Sequence, residues 1–321
     1  MKDVNVFFAF RDRANYLYRL SFGLRLKTCA MATRPSSLDE LRRRVDAIDD
    51  RLHDLIMERA EVIEEIAGTK RRDGIATVRP GREALILRRL VARHRGRFPR
   101  AVLVRLWREL LSGAIGMQGN FAVAVCMPRS TPDYWDLARD HYGSHTPMMA
   151  FHSASEVLRA MSEGRAAVGV LPMPAEGEST PWWPLLMASG AAVPQVSARL
   201  PFAGSGNARN DGGEAVVIGH GELDPTGADR SFIALEIAGE LSRARLIGAL
   251  ADAGLVVTLF AAHEPHGSSV LHLVEIDDLV PPGDPRLAKA LQPLGDRVAR
   301  VAHLGGYARP LAPAALEGRD R

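Results

Sequence analysis

The chain has 321 residues, 46% of them hydrophobic and 25% charged, a length that implies two or three domains with sizeable cores. Its two cysteines, Cys29 and Cys126, have no metal spacing; they exclude a disulfide framework and point to a reducing, cytoplasmic setting. The net charge of +3 hides an asymmetry, with 7 basic and 2 acidic residues in 1–35, 18 and 13 in 36–120, and 16 and 23 in 121–321. The basic half suits anions, but its longest arginine run is Arg42 to Arg44 with no interleaved aromatics, so no nucleic-acid partner is expected.

Residues 1–35 mix apolar residues with arginines. No apolar run there approaches 18 residues, which excludes a membrane span, and a signal-peptide core and cleavage site are lacking. The segment reads as a largely disordered upstream extension, with Met31 as an alternative start. Ser37-Leu-Asp-Glu40 is a capping box, and the spacing predicts a long amphipathic helix from about Leu38 to Arg71. This helix carries Arg42, Arg59 and Lys70. Arg59 and Lys70 are eleven residues apart, so they lie within about 20° of one face and roughly 16 Å from each other. Val62, Ile63 and Ile66 share that stripe. Cations aimed at apolar surface need an anion, and local partners are few: Arg59 has Leu55, Ile56, Val62 and Ile63 as helical neighbours, and Lys70 has only Asp73 as an acid. Arg42 lies about 25 Å up the axis from Arg59. It can share their pocket only if a second copy supplies it, which suggests a pocket for a small dianion built across a dimer.

The loop RRDGIATVRPG closes this helix, a second helix is expected from about Arg82 to His94, and a third from near Pro99 to about Gln118. Residues 36–120 are therefore an all-α module. From Phe121 the period changes. FAVAVCM, AAVGVLP and EAVVIGH read as strands, with helical stretches near Tyr134–Tyr142 and Glu156–Glu163 between the first two, which predicts an α/β domain over 121–222. Residues 229–311 then follow a ferredoxin-like β-α-β-β-α-β pattern, ahead of a tail at 312–321. GSGNARN at 204–210 neither follows a strand nor opens a helix, so it reads as a surface loop rather than a phosphate cradle. His263 and His266 lack metal-site spacing, and Trp182-Trp183 is expected to cap a core.

The helical stretch LRRRVDAIDDRLHDLIMERAEVIEEIAGTK, followed by RPGRE and a terminal Gln118, resembles the all-helical chorismate mutases of the AroQ class. The resemblance implies a three-helix chain in an intertwined dimer. It also implies roles: Arg42 reaching the partner's site, Arg59 gripping a substrate carboxylate, and Lys70 contacting the ether oxygen and a carboxylate. Arg82 and Glu83 match the family's RE pair, with the Glu accepting the substrate hydroxyl, and Gln118 matches the glutamine that donates to the ether oxygen. Arg79 stands where many members carry an acid near the substrate hydroxyl, as a substrate ligand or a loop charge, and Ala114 stands where several carry serine. The remainder resembles the other parts of a bifunctional chorismate mutase–prephenate dehydratase: a periplasmic-binding-like dehydratase-type domain and an amino-acid-sensing ACT-type domain. Here the motifs are worn. Pro174, Ala175 and Glu176 stand in place of Glu-Asn-Ser, and Gly213, Glu214 and Ala215 stand in place of Thr-Arg-Phe.

The resemblance therefore implies an isomerase that converts chorismate to prephenate in phenylalanine and tyrosine biosynthesis, without a cofactor or metal and with dehydratase activity lost. Conversion is a unimolecular Claisen rearrangement, so a protein has only to hold the dianion in its reactive shape and stabilise charge on the ether oxygen. The alternative is a non-catalytic sensor of a chorismate-like metabolite that signals through its C-terminal domains to a partner protein. Lys70 and Gln118 favour catalysis, because binding carboxylates alone would need only arginines.

Overall fold

The computed structural model describes residues 37–317 apart from 74–75, 129–132, 189, 191–192, 205, 207–208, 210–212, 222–223, 240 and 266–268. The extension expected over 1–35, with Cys29, lies outside the described residues, as do His266 and most of the GSGNARN loop. Among the described residues no helix is long and apolar enough to cross a membrane. The chain divides into two units, one ending at Asp54 and one beginning at Leu55.

The described part of the first unit, residues 37–54, is helical. Ser37 is the expected cap, accepting from the Glu40 N–H at 3.2 Å, and it opens α1 (Leu38–Asp73). In this unit Leu41, Val45, Ile48 and Leu52, the apolar stripe that the heptad-like spacing created, are 43–55% exposed.

In the second unit the remaining turns of α1 bury Ile63 and Ala67. Two further helices follow, α2 (Pro80–Arg93) and α3 (Arg100–Gln118). The second helix starts earlier than its apolar spacing predicts. Pro80 is its first residue rather than loop punctuation, because a first-turn proline needs no N–H and already has helical φ. Ala84, Leu87 and Val91 of α2 and Val104 and Leu111 of α3 share a core with Phe202 and Ala308, residues from much later in the chain.

The rest is one nine-stranded mixed sheet with helices on its faces. Its elements are β1 (Val123–Cys126), α4 (Asp133–Tyr142), β2 (Met148–Phe151), α5 (Ala154–Ser162), β3 (Val168–Pro172), β4 (Gln195–Leu200) and β5 (Ala215–Gly219). Then come β6 (Asp229–Ala238), α6 (Arg243–Asp252), β7 (Val257–His263), β8 (Ser269–Ile276), α7 (Pro285–Leu291), β9 (Val298–Ala308) and α8 (Pro313–Leu316). The strand order is β2-β1-β3-β5-β4-β9-β6-β8-β7. The runs expected to be strands after Phe121 are β1, β3 and β5, buried throughout except for Pro172 at the end of β3, as their unbroken apolar composition requires. The sequence pattern missed β2 and β4. The first is a four-residue edge strand, and the second alternates Val196, Ala198 and Leu200 with Gln195, Ser197 and Arg199, too mild a pattern to stand out. Trp183 is 1% exposed, and Trp182 donates to the Pro172 carbonyl at 2.9 Å.

The halves of the sheet meet where β4 pairs in parallel with β9, at Val196 and Gly305. Gly305 has φ +106°, and a Cβ there would strike Val196 N and O, so the joint needs glycine for both conformation and space. Beside it lies a buried charge network. Glu275 of β8 accepts from Arg230 at 3.2 Å, from Thr258 at 2.5 Å and from the Tyr307 hydroxyl of β9. Arg199 of β4 donates to Tyr307 Oη at 3.1 Å and to Glu214 at 2.6 Å.

Candidate active site

The predicted stripe on α1 is one wall of a cavity of about 690 Å³ within the second unit. Arg59, Val62, Ile63, Ile66 and Lys70 line it at steps of three and four residues. From α2 and the residue before it come Arg79, Arg82, Glu83, Ile86 and Arg89, and from α3 come Trp107, Leu111, Ala114, Ile115 and Gln118. Six residues singled out from the sequence, Arg59, Lys70, Arg79, Arg82, Glu83 and Gln118, therefore border one space. Arg42 belongs to the first unit, where it is exposed and lies 3.4 Å from Asp39.

Each polar group has a defined setting. Arg59 is half-buried and donates to the Leu110 carbonyl at 3.2 Å, which ties α1 to α3. Burial disfavours its charge and lowers its pKa. Lys70 donates to the Thr77 carbonyl at 2.9 Å. Burial first, and then repulsion from Arg79, pull its pKa down, while Glu83 and Asp224 oppose that shift. Glu83 is buried and accepts from Arg108 at 2.8 Å. Burial pushes the Glu83 carboxyl up against the pull of Arg108, and lowers the Arg108 guanidinium in turn. Arg108 also sits 5.1 Å over the Phe202 ring. Gln118 turns its amide N–H onto the Ala114 carbonyl at 3.0 Å, leaving its buried Oε1 without a partner among the described residues.

The arrangement combines three apolar walls with several cations and a sunken carboxylate. It suits a small anion with an apolar body, held by arginine forks and a lysine point charge. Arg89, Trp107 and Asp224 are among the lining residues missed at the sequence level. Arg89 and Trp107 were legible in principle, since Arg89 lies seven residues beyond Arg82 and Trp107 begins the Trp107, Leu111, Ala114, Gln118 stripe. Asp224 was not, because nothing local connects it with helices more than a hundred residues earlier.

Residues 41–119 match the family described as chorismate mutase type II. The chain is 33% identical over 144 residues to a bifunctional chorismate mutase/prephenate dehydratase of Pseudomonas aeruginosa, an alignment covering 42% of this chain and 38% of the relative. It is 30% identical over 141 residues to the protein of the same description from Stutzerimonas stutzeri, with the same coverage. The alignable region thus spans less than two fifths of these curated relatives. Among solved structures, a prephenate dehydratase from Arthrobacter aurescens in complex with L-Phe covers 61% of this chain and 94% of its own, with a TM-score of 0.43 and 13% identity. Similarity of that degree says nothing of function.

Proposed function

We propose that the helical pocket binds chorismate and rearranges it to prephenate, so that the protein is an isomerase of aromatic amino-acid biosynthesis. The observation that carries this reading is the convergence of Arg59, Lys70, Arg82, Glu83 and Gln118 on one cavity, inside the segment that matches chorismate mutase type II. On this reading Arg59 and Arg82 grip the carboxylates through their planar forks. Lys70 sets a positive charge against the ether oxygen as its bond to carbon breaks, and Gln118 rotates away from the Ala114 carbonyl to donate to the same oxygen. Glu83, held by Arg108, accepts the ring hydroxyl. The reaction breaks one carbon–oxygen bond and forms one carbon–carbon bond within a single molecule, so orientation and electrostatics are the whole of catalysis. A second copy, docked on the exposed stripe of α1, would bring its own Arg42 to the site.

The C-terminal half reads as a dehydratase-type domain over 121–222 and an ACT-type domain over 229–311, the latter supported by the order β9-β6-β8-β7 and its two helices. Dehydratase chemistry is not expected. Glu176 and Glu214, which stand in that family's signature positions, are each tied to an arginine, Arg243 at 2.7 Å and Arg199 at 2.6 Å. One assay tests both statements: chorismate loss followed by ultraviolet absorbance, with products identified, for wild type and Lys70→Ala. Prephenate should accumulate without phenylpyruvate, and Lys70→Ala should be slower by about 10²–10³-fold. A wild type that binds chorismate but leaves it unchanged would refute catalysis and favour the sensor reading.

A further inference from the structure

One wall of the pocket does not come from the helices. Asp224 and Pro225, in the segment between β5 and β6, complete it. Arg79, just before α2, grips the Asp224 carboxylate at two points, Nε to Oδ2 at 2.8 Å and Nη2 to Oδ1. Gly81, in the first turn of α2, lies directly against the same residue; a Cβ there would come within 2.5 Å of Asp224 Cβ and its carbonyl oxygen. Two turns further on, Arg88 donates to Thr226 Oγ1 at 2.8 Å, to the Ala228 carbonyl at 2.9 Å and to the Arg309 carbonyl at 2.8 Å. Asp229 in turn holds the Thr226 N–H at 2.8 Å. The segment is therefore fastened to α2 at three successive places, and the middle one has room only for glycine.

We propose that Asp224 is a positioning residue of the helical pocket, contributed by the sheet-bearing half of the chain, which holds Arg79 by its fork and offsets that cation beside Lys70. This rests on reading the cavity as the anion site, and not on which anion fills it. The position before Pro80 carries a cation within interaction range of Lys70. Left without a counter-charge it would repel the lysine and add to the desolvation that already disfavours the ammonium. Among the described residues, the charged groups that line the pocket with that lysine are Arg59 from α1, Arg79, Arg82, Glu83 and Arg89 from α2 and its approach, and Asp224. Asp224 and Glu83 are the two that act to keep Lys70 protonated. Glu83 is bonded to Arg108, whereas Asp224 is bonded to Arg79 itself. The C-terminal half thereby gains a role at the helical site that needs no effector and no chemistry of its own.

The chain has four lysines, Lys2, Lys27, Lys70 and Lys289, so the Lys70 ammonium can be titrated directly by NMR on lysine-labelled full-length protein, with Lys70→Arg assigning the signal. The Lys70 midpoint should fall in Asp224→Asn relative to wild type and stay in place in Asp224→Glu. Gly81→Ala removes no charge but pushes the segment off α2, and it should move the midpoint in the same direction as Asp224→Asn. If Asp224→Asn does not fold, Gly81→Ala decides. In turnover of chorismate, kcat/KM of Asp224→Asn should fall below wild type, and the deficit should be roughly tenfold larger at pH 9 than at pH 7. An unmoved or raised midpoint in Asp224→Asn and Gly81→Ala overturns the proposal even if the enzyme turns over chorismate. Midpoints that move as stated in a protein inert toward chorismate uphold it and refute the mutase reading alone.

Discussion

Among the individual residues, the Glu83–Arg108 pair shows how chemistry and stability are joined. Both side chains are buried, at 11% and 5% side-chain exposure, and their separation of 2.8 Å lets each neutralise the other. Removing one leaves the other charged and desolvated, the expensive half of a buried ion pair. Arg108→Met should therefore lower unfolding free energy by about 3–5 kcal/mol, and Arg108→Met with Glu83→Gln should recover part of it. Urea midpoints of the two single variants and the double variant measure both. His272 is a second such case. It is 4% exposed, packs against Phe260, and neither ring nitrogen has a partner among the described residues, so burial holds its pKa below the ordinary histidine value of 6.5. The folded state thus prefers the neutral ring. The stability this contributes is present above pH 6.5 and is lost as pH falls from there toward the folded value. His272→Phe should flatten the decline in melting temperature between pH 7 and 5, and an unchanged decline would remove His272 from the account.

The β4–β9 joint is an element-scale constraint that one glycine carries. Ladder pairing between these strands begins where Val196 meets Gly305, and a side chain there would collide with backbone rather than with a yielding side-chain tip. Gly305→Ala should cost several kcal/mol, combining left-handed strain with steric displacement. It should also weaken amide exchange protection in β4 and β9 before it does so in β7 at the far edge. Helices behaved differently from strands in their legibility. The ends of α1 and α3 were readable from the capping box and from periodicity, because helical signals are local. The strands β2 and β4 were not, because they are stabilised by neighbours across the sheet that their own sequences do not encode.

At the scale of the whole molecule, α1 is a long amphipathic helix whose apolar stripe is left half exposed by the described residues of the first unit. Leu41, Val45, Ile48 and Leu52 are about half exposed, and in the second unit so are Val62 and Ile66. A second copy is the proposed cover. Sedimentation equilibrium should give a dimer, and Leu52→Asp should dissociate it and abolish chorismate turnover, since the pocket would lose the partner's Arg42. A monomeric wild type with full activity would refute the dimer.

Residue order alone reveals the helical module: its capping box, its stripes, and the spacing of Arg59, Lys70, Arg82, Glu83 and Gln118. The period of a helix converts residue numbers into faces without reference to anything else. It takes the packed chain to show that Arg108 neutralises Glu83, that Phe202 and Ala308 finish the core of α2 and α3, that the two parts of the sheet join at Gly305, and that Asp224 binds Arg79. Each of these pairs residues from 25 to more than 200 positions apart. Such contacts arise from the burial of whole faces against one another, and no local pattern announces which distant carboxylate will meet a cation.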